Sequence, residues 1–123
     1  MTMEPKEYVS QLVERARKAQ KIIEGYDQER VDHLVTAIVW NIVKPGTVEK
    51  IAQMAVEETG LGNYESKYAK LMTKLKGALR DMKGKKSIGI IEEDKEKGII
   101  KIAKPVGVVG AVLPTTNPEA TPV

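Results

Sequence analysis

Residues 104–123 read Lys-Pro-Val-Gly-Val-Val-Gly-Ala-Val-Leu-Pro-Thr-Thr-Asn-Pro-Glu-Ala-Thr-Pro-Val, and they constrain the fold more than any other stretch. Val106, Val108, Val109, Ala111, Val112 and Leu113 form a nearly unbroken aliphatic run without alternation. A half-exposed strand alternates, whereas a parallel strand covered on both faces does not, so the run predicts a buried strand. Pro114 cannot extend a ladder and ends it. Thr115, Thr116 and Asn117 then fall at the strand's carboxyl end, where open α/β sheets bind ligands.

The chain before this run reads mostly as helix. Val9, Leu12, Val13, Ala16, Ala19 and Ile23 recur at spacings of three and four, predicting a first helix from Glu4 to Glu24, stopped by Gly25. Asp27 is placed to cap a second helix whose stripe is Val31, Leu34, Val35, Ile38, Val39 and Ile42, ended by Pro45-Gly46. His33 falls on the polar side and reads as a solvated surface residue; no second His or Cys exists to share a metal with it. Thr47 opens a third helix to Glu58 with Val48, Ile51, Ala52 and Ala55 inward. Glu57 and Glu58 at its end oppose the helix dipole and read as solvated carboxylates or partners of nearby lysines.

Gly60-Leu-Gly62 breaks the chain and Asn63 caps a fourth helix to Lys83, with Tyr68, Leu71, Met72, Leu75, Leu79 and Met82 as its stripe. Lys67, Lys70, Lys74, Lys76, Arg80 and Lys83 cover much of the rest. Such a face can touch phosphates, but it is more often simply solvated. No aromatic residue follows Tyr68 to interleave with the lysines, which argues against single-strand stacking. Ser87–Glu92 and Ile99–Ala103 then read as a hairpin around a charged loop ending in Gly98. Six isoleucines in two strands exceed what a lone ribbon in water needs, so the hairpin is expected to pair or pack against something else.

Composition sets outer limits. Aromatic residues make up 4% of the chain and Phe is absent, so the core must be aliphatic with help from methionine. The formal net charge of +3 is too mild to argue nucleic acid, and no nucleic-acid partner is expected. There is no cysteine, hence no disulfide, thiolate metal site or cysteine nucleophile within these residues. That usage fits a cytoplasmic chain. No apolar run is long enough to span a bilayer, and Met-Thr-Met-Glu-Pro-Lys-Glu lacks a signal peptide's apolar core.

The segment from Lys104 to Pro118 resembles the aldehyde dehydrogenase superfamily, in which a Pro-x-Gly-Val strand opens the nucleotide-binding domain and ends in a Pro-x-Asn turn. Its Thr-Thr-Asn-Pro form looks like the acylating, coenzyme A-dependent branch. The run Glu57-Glu58-Thr59-Gly60-Leu61-Gly62 resembles the Glu-Thr-Gly helix end of the same enzymes. The likeness covers the whole chain but only the amino-terminal portion of a much longer enzyme. It implies an α/β fold of which this chain is a mostly helical fragment. Residues 1–85 would be the amino-terminal helical segment and 86–104 an oligomerisation-type hairpin. Residues 105–123 would be the truncated start of the nucleotide-binding domain.

The resemblance also implies the chemistry: aldehyde, NAD or NADP and coenzyme A give an acyl-CoA and the reduced nucleotide, in a homo-oligomer with no membrane partner. The thiol nucleophile that splits the reaction into two steps lies downstream in the family, so these 123 residues alone are expected to be inactive. By the same likeness Val112, Leu113, Pro114 and Thr115 line the cofactor site and Asn117 holds the oxyanion. The competing reading of Asn117 is a helix cap before Pro118 and Glu119. Against it, Thr121-Pro122 is the better helix start and leaves Asn117 in the preceding turn. Gly107 and Gly110 do not form a Gly-x-Gly-x-x-Gly loop, and they otherwise read as sites of close backbone approach. Glu119 and Pro122 stand where acetaldehyde-acting members carry short hydroxyl residues. That departure points to a different short aldehyde, a charged one such as sulfoacetaldehyde being one option. Two other readings compete with the enzyme: a helical self-association module without activity, and a basic-helix nucleic-acid binder.

Overall fold

A computed structural model describes residues 4–123. Met1–Met3, part of the stretch read as lacking a signal-peptide core, lie outside the described residues. The backbone gathers into two units. One takes residues up to Val31 together with Lys86–Gly110; the other takes Asp32–Lys85 with Ala111–Val123.

In the first unit, α1 spans Pro5–Ile23, with Pro5 at its first position, Glu7 in the first turn and Lys21 in the last. These placements suit a helix start and the helix dipole. The apolar stripe of α1 has no buried residue, and Val9 is 55% exposed. Strand β1, Gly89–Asp94, pairs antiparallel with β2, Ile99–Ala103. Gly89 faces Ala103 and Ile90 faces Ile102; a bulge follows, after which Glu92 faces Lys101 and Asp94 faces Ile99. The Lys101 ammonium lies 2.7 Å from Glu92 Oε2 across the ladder, and Asp94 Oδ1 accepts the Glu96 and Lys97 N–H groups to close the loop. The hairpin is anchored by Gln28: its Oε1 accepts the N–H groups of Ser87 and Ile88, and its Nε2 donates to Ser87 Oγ. Ile90, Ile91, Ile99, Ile100 and Ile102 remain exposed, while Ile88 is half-buried.

The second unit holds the core. Helix α2, Gln28–Val43, is capped as the sequence predicts: Asp27 Oδ1 accepts the Arg30 N–H at 2.9 Å. Its inward face keeps most of the expected stripe, with Val31, Leu34, Val35 and Ile42 half-buried, but is shifted toward Val43. Val39 and Val43 are buried, whereas Ile38 is 44% exposed. The cause is the partner surface, since Val48, Ala52, Leu71 and Leu75 meet α2 on the Val39–Val43 side. Helix α3, Val48–Thr59, is not capped by Thr47, whose side chain makes no capping bond. Glu49 Oε2 reaches back instead to the Gly46 N–H at 2.6 Å. Gly60, at φ 65°, ends α3 in the left-handed conformation that glycine adopts without a Cβ clash.

The fourth predicted helix is present but not uniform. It runs as α4, Tyr64–Lys70, a π turn over Leu71–Leu75, and α5, Lys76–Met82. Asn63 Oδ1 caps it through the Ser66 N–H at 2.8 Å, as expected. In a straight α-helix, residues four apart drift about 40° per step. The wider π turn counters that drift and keeps Lys67, Leu71 and Leu75 buried together, with Leu79 packed beside them. Met82, expected on the stripe, is 47% exposed beyond the end of this face.

The largest correction concerns residues 104–113. They form no strand; the one sheet among the described residues is β1–β2. A strand buried on both faces needs lateral neighbours, and the described residues supply none. Gly107 has φ 87°, outside the β region. Val106, Val109 and Val112 are exposed. Nor do Gly107 and Gly110 mark close backbone approach, since a Cβ at either would meet nothing within 4 Å.

Candidate functional site

The segment 114–121 is a compact pair of turns. The Asn117 N–H donates to the Pro114 carbonyl at 3.3 Å, and the Asn117 carbonyl accepts from the Thr121 N–H at 3.2 Å and from Thr121 Oγ1 at 2.9 Å. A single helical turn therefore opens at Pro118 rather than at Thr121-Pro122. Asn117 stands at its head, yet its side chain does not cap it. Asn117 Oδ1 instead accepts a 2.5 Å hydrogen bond from Lys70 Nζ.

Two turns of one helix clamp this segment. Lys67 and Lys70, three apart, project from the same side of α4. Lys67 Nζ donates to the Thr116 carbonyl at 2.8 Å and lies 3.5 Å from Glu119 Oε2; Lys70 Nζ lies 2.5 Å from Glu119 Oε1. The side chain of Glu119 is 1% exposed, that of Lys67 is 6% and that of Lys70 is 26%. Neither oxygen of Glu119 accepts a well-directed hydrogen bond, so its partners act through charge. Burial pushes the Glu119 carboxyl up, but the Lys70 ammonium, the local backbone and Lys67 outweigh it and hold the group below its ordinary 4.5. Two ammonium groups face one carboxylate, leaving a surplus positive charge. Next to the cluster, Ala120 packs against the hydrophobic core, which fastens the turn from its apolar side.

The orientation of the Asn117 amide follows from chemistry. An ammonium has donors only, so the amide oxygen must face Lys70. The amide nitrogen is left with a long contact, 3.4 Å, to Thr116 Oγ1. A donor that points away from its anchor can meet a developing negative charge.

Of the other site residues expected from sequence, Val112, Leu113, Pro114 and Thr115 are all exposed and lead into the turn without enclosing a volume. A surface hollow of about 460 Å³ lies elsewhere, along α3 and Tyr64, and none of these residues lines it. His33 is exposed, as expected. Among the described residues no group of three His, Cys, Asp or Glu side chains could hold a metal. No helix among the described residues is long and apolar enough to cross a membrane.

Sequence reasoning missed Lys67 and Lys70, reading both as part of a solvated basic face. One signal could have found them. Glu119 is the sole acidic residue in 104–123, and a carboxylate set in an apolar segment needs a cation from elsewhere.

Comparison with known proteins places this turn in a family. No family model matches the chain. An acylating sulfoacetaldehyde dehydrogenase of Bilophila wadsworthia is 53% identical over 92% of this chain, which covers 24% of that protein. An acylating sulfoacetaldehyde dehydrogenase of Cupriavidus necator is 46% identical over 94% of the chain and 24% of its own length. An acetylating succinate-semialdehyde dehydrogenase of Clostridium kluyveri is 45% identical over 93% of the chain and 25% of its own length.

The chain corresponds to the amino-terminal part of acylating aldehyde dehydrogenases.

It spans about a quarter of the length of these curated relatives and matches their amino-terminal part.

Proposed function

We propose that this chain is the amino-terminal part of an NAD(P)-dependent enzyme that converts a short anionic aldehyde and coenzyme A into an acyl-CoA. Sulfoacetaldehyde is the substrate we assign. The observation that carries the reading is the 53% identity to the Bilophila enzyme over 92% of this chain. Sulfoacetaldehyde and succinate semialdehyde, named in the relatives, both pair an aldehyde with an anionic group.

Asn117 is the residue of this chain with a direct role. When a nucleophile attacks an aldehyde, negative charge builds on the carbonyl oxygen. A fixed amide N–H aimed at that oxygen lowers the barrier by about 3 kcal/mol. The nucleotide, when bound, accepts hydride from the substrate carbon. Val112, Leu113, Pro114 and Thr115 are exposed and form no closed cradle, so their assignment to the nucleotide rests on family likeness. The hairpin 86–104 is proposed to meet a second copy, since Ile90, Ile91, Ile99, Ile100 and Ile102 are exposed here.

The test uses the full enzyme carrying this sequence. Reduced nucleotide should form with sulfoacetaldehyde only when coenzyme A is supplied, faster than with acetaldehyde. Asn117→Ala should lower turnover by about a hundredfold. A mutant that loses stability but keeps turnover would make Asn117 structural only.

A further inference from the structure

Asn117 and Lys70 are joined by a hydrogen bond that the oxyanion reading does not itself require. An asparagine amide rotates in a broad, roughly two-fold well, so nothing in the residue decides whether its oxygen or its nitrogen faces a substrate. The wrong face would place a carbonyl dipole against the developing negative charge. Some neighbour must choose.

We propose that Lys70 is a positioning residue: its ammonium, held by the buried Glu119 carboxylate, locks the Asn117 amide so that Nδ2 rather than Oδ1 faces the aldehyde oxygen. This rests on the oxyanion role of Asn117. Three features support it. First, Lys70 Nζ contacts both Asn117 Oδ1 and Glu119 Oε1 at 2.5 Å, so one ammonium links the amide to an anchor. Second, that anchor is fixed, because Glu119 is 1% exposed in its side chain and also faces Lys67. Third, Lys67 holds the backbone beside the amide through the Thr116 carbonyl, limiting how far Asn117 can shift. A flipped amide would bring its NH₂ against an ammonium, two donors with no acceptor between them. Preorganised donors of this kind spend no free energy on reorientation during the reaction.

The roles divide by chemistry. Lys70 never touches the aldehyde in this scheme, and Asn117 does. Lys70→Met keeps most of the stem and removes the donor. In the full enzyme it should lower kcat by about tenfold to a hundredfold, bounded by the loss of the amide donor itself, with little change in KM for aldehyde or nucleotide. Lys70→Arg restores a donor and should recover part of that loss.

A double-mutant cycle decides between positioning and bulk stability. In an Asn117→Ala background, Lys70→Met should cost no further turnover, because no amide remains to orient. The same fold-loss in both backgrounds would overturn the proposal while leaving the oxyanion role intact. Unchanged kcat in Lys70→Met would overturn it as well. Full turnover in Asn117→Ala alone would remove the oxyanion role, and this proposal with it. Because Lys70→Met strands part of the Glu119 charge, the cycle is repeated with Lys70→Met/Glu119→Gln, which has no unpaired carboxylate and must give the same coupling.

Discussion

Lys70 Nζ donates to Asn117 Oδ1 across 47 residues of sequence. That bond and its neighbours tie the carboxyl-terminal turn to α4, and they give the turn's stability a clear dependence on charge. Lys67 is the more buried of the two lysines and bonds to the Thr116 carbonyl. Lys67→Met should cost about 1–3 kcal/mol, since a part-buried acceptor loses its donor and the buried Glu119 carboxylate loses one of its two cations. Chemical denaturation of the chain and the variant measures it, and an unchanged midpoint would place Lys67 in water.

The hydrophobic core yields the next expectation. Leu71 is fully buried on the π turn, so Leu71→Ala should destabilise by about 2–5 kcal/mol. Val43→Asp should abolish folding of the second unit, because it buries an unpaired carboxylate. Ile38→Asp should be far milder, at 44% exposure, and His33→Ala nearly silent. Thermal melts by circular dichroism rank the four; Ile38→Asp matching Val43→Asp would mean the assigned face is wrong.

Helix starts were legible where a side chain must bond locally. Asp27 and Asn63 cap as their identities require. Thr47 does not, and the Glu49 carboxylate instead accepts the N–H of Gly46, which precedes the helix. Helical periodicity located α2 and most of its inward face but not the shift toward Val43, which depends on partners far along the chain. The π turn was hidden for a related reason: an i, i+4 row of large residues fits an α-helix well enough until its burial is known. The aliphatic run 106–113 signals a strand only when neighbouring strands exist to receive it. The place of Asn117 in a turn was legible from Pro-Thr-Thr-Asn-Pro, whereas its lysine partners were not. Local sequence ranks a lysine-rich helix as solvated, and only the fold brings Glu119 under it.

The lowered Glu119 carboxyl gives a pH dependence with a definite sign. Unfolded, the group titrates near its ordinary 4.5; folded, it titrates lower. The unfolded chain therefore takes up the proton first as pH falls. The stability contributed by Glu119 is complete above about pH 4.5 and is lost as pH drops toward the folded value. Denaturation midpoints taken from neutral pH downward should fall across that window. Glu119→Gln should flatten this part of the profile, and a profile identical to that of the unmodified chain would assign the transition to other carboxylates.

Glu119→Gln also tests how the cluster balances its charges. Two lysines lie against one buried carboxylate, and removing that carboxylate leaves two ammonium groups with no counter-charge. Breaking a buried pair from one side costs about 3–5 kcal/mol, mostly the penalty for the stranded charge. If that penalty dominates, relieving it should recover stability. Lys67→Met added to Glu119→Gln removes the most buried ammonium, and the double variant should be more stable than Glu119→Gln alone. Lys70, 26% exposed in its side chain, can turn toward water and needs the carboxylate less. Adding Lys70→Met to Glu119→Gln should therefore recover less. Urea denaturation of the unmodified chain, the three single variants and the two double variants gives both coupling energies. Equal recovery from the two lysines would show that burial does not separate them. No recovery from either would mean that Glu119 stabilises the turn by packing rather than by charge.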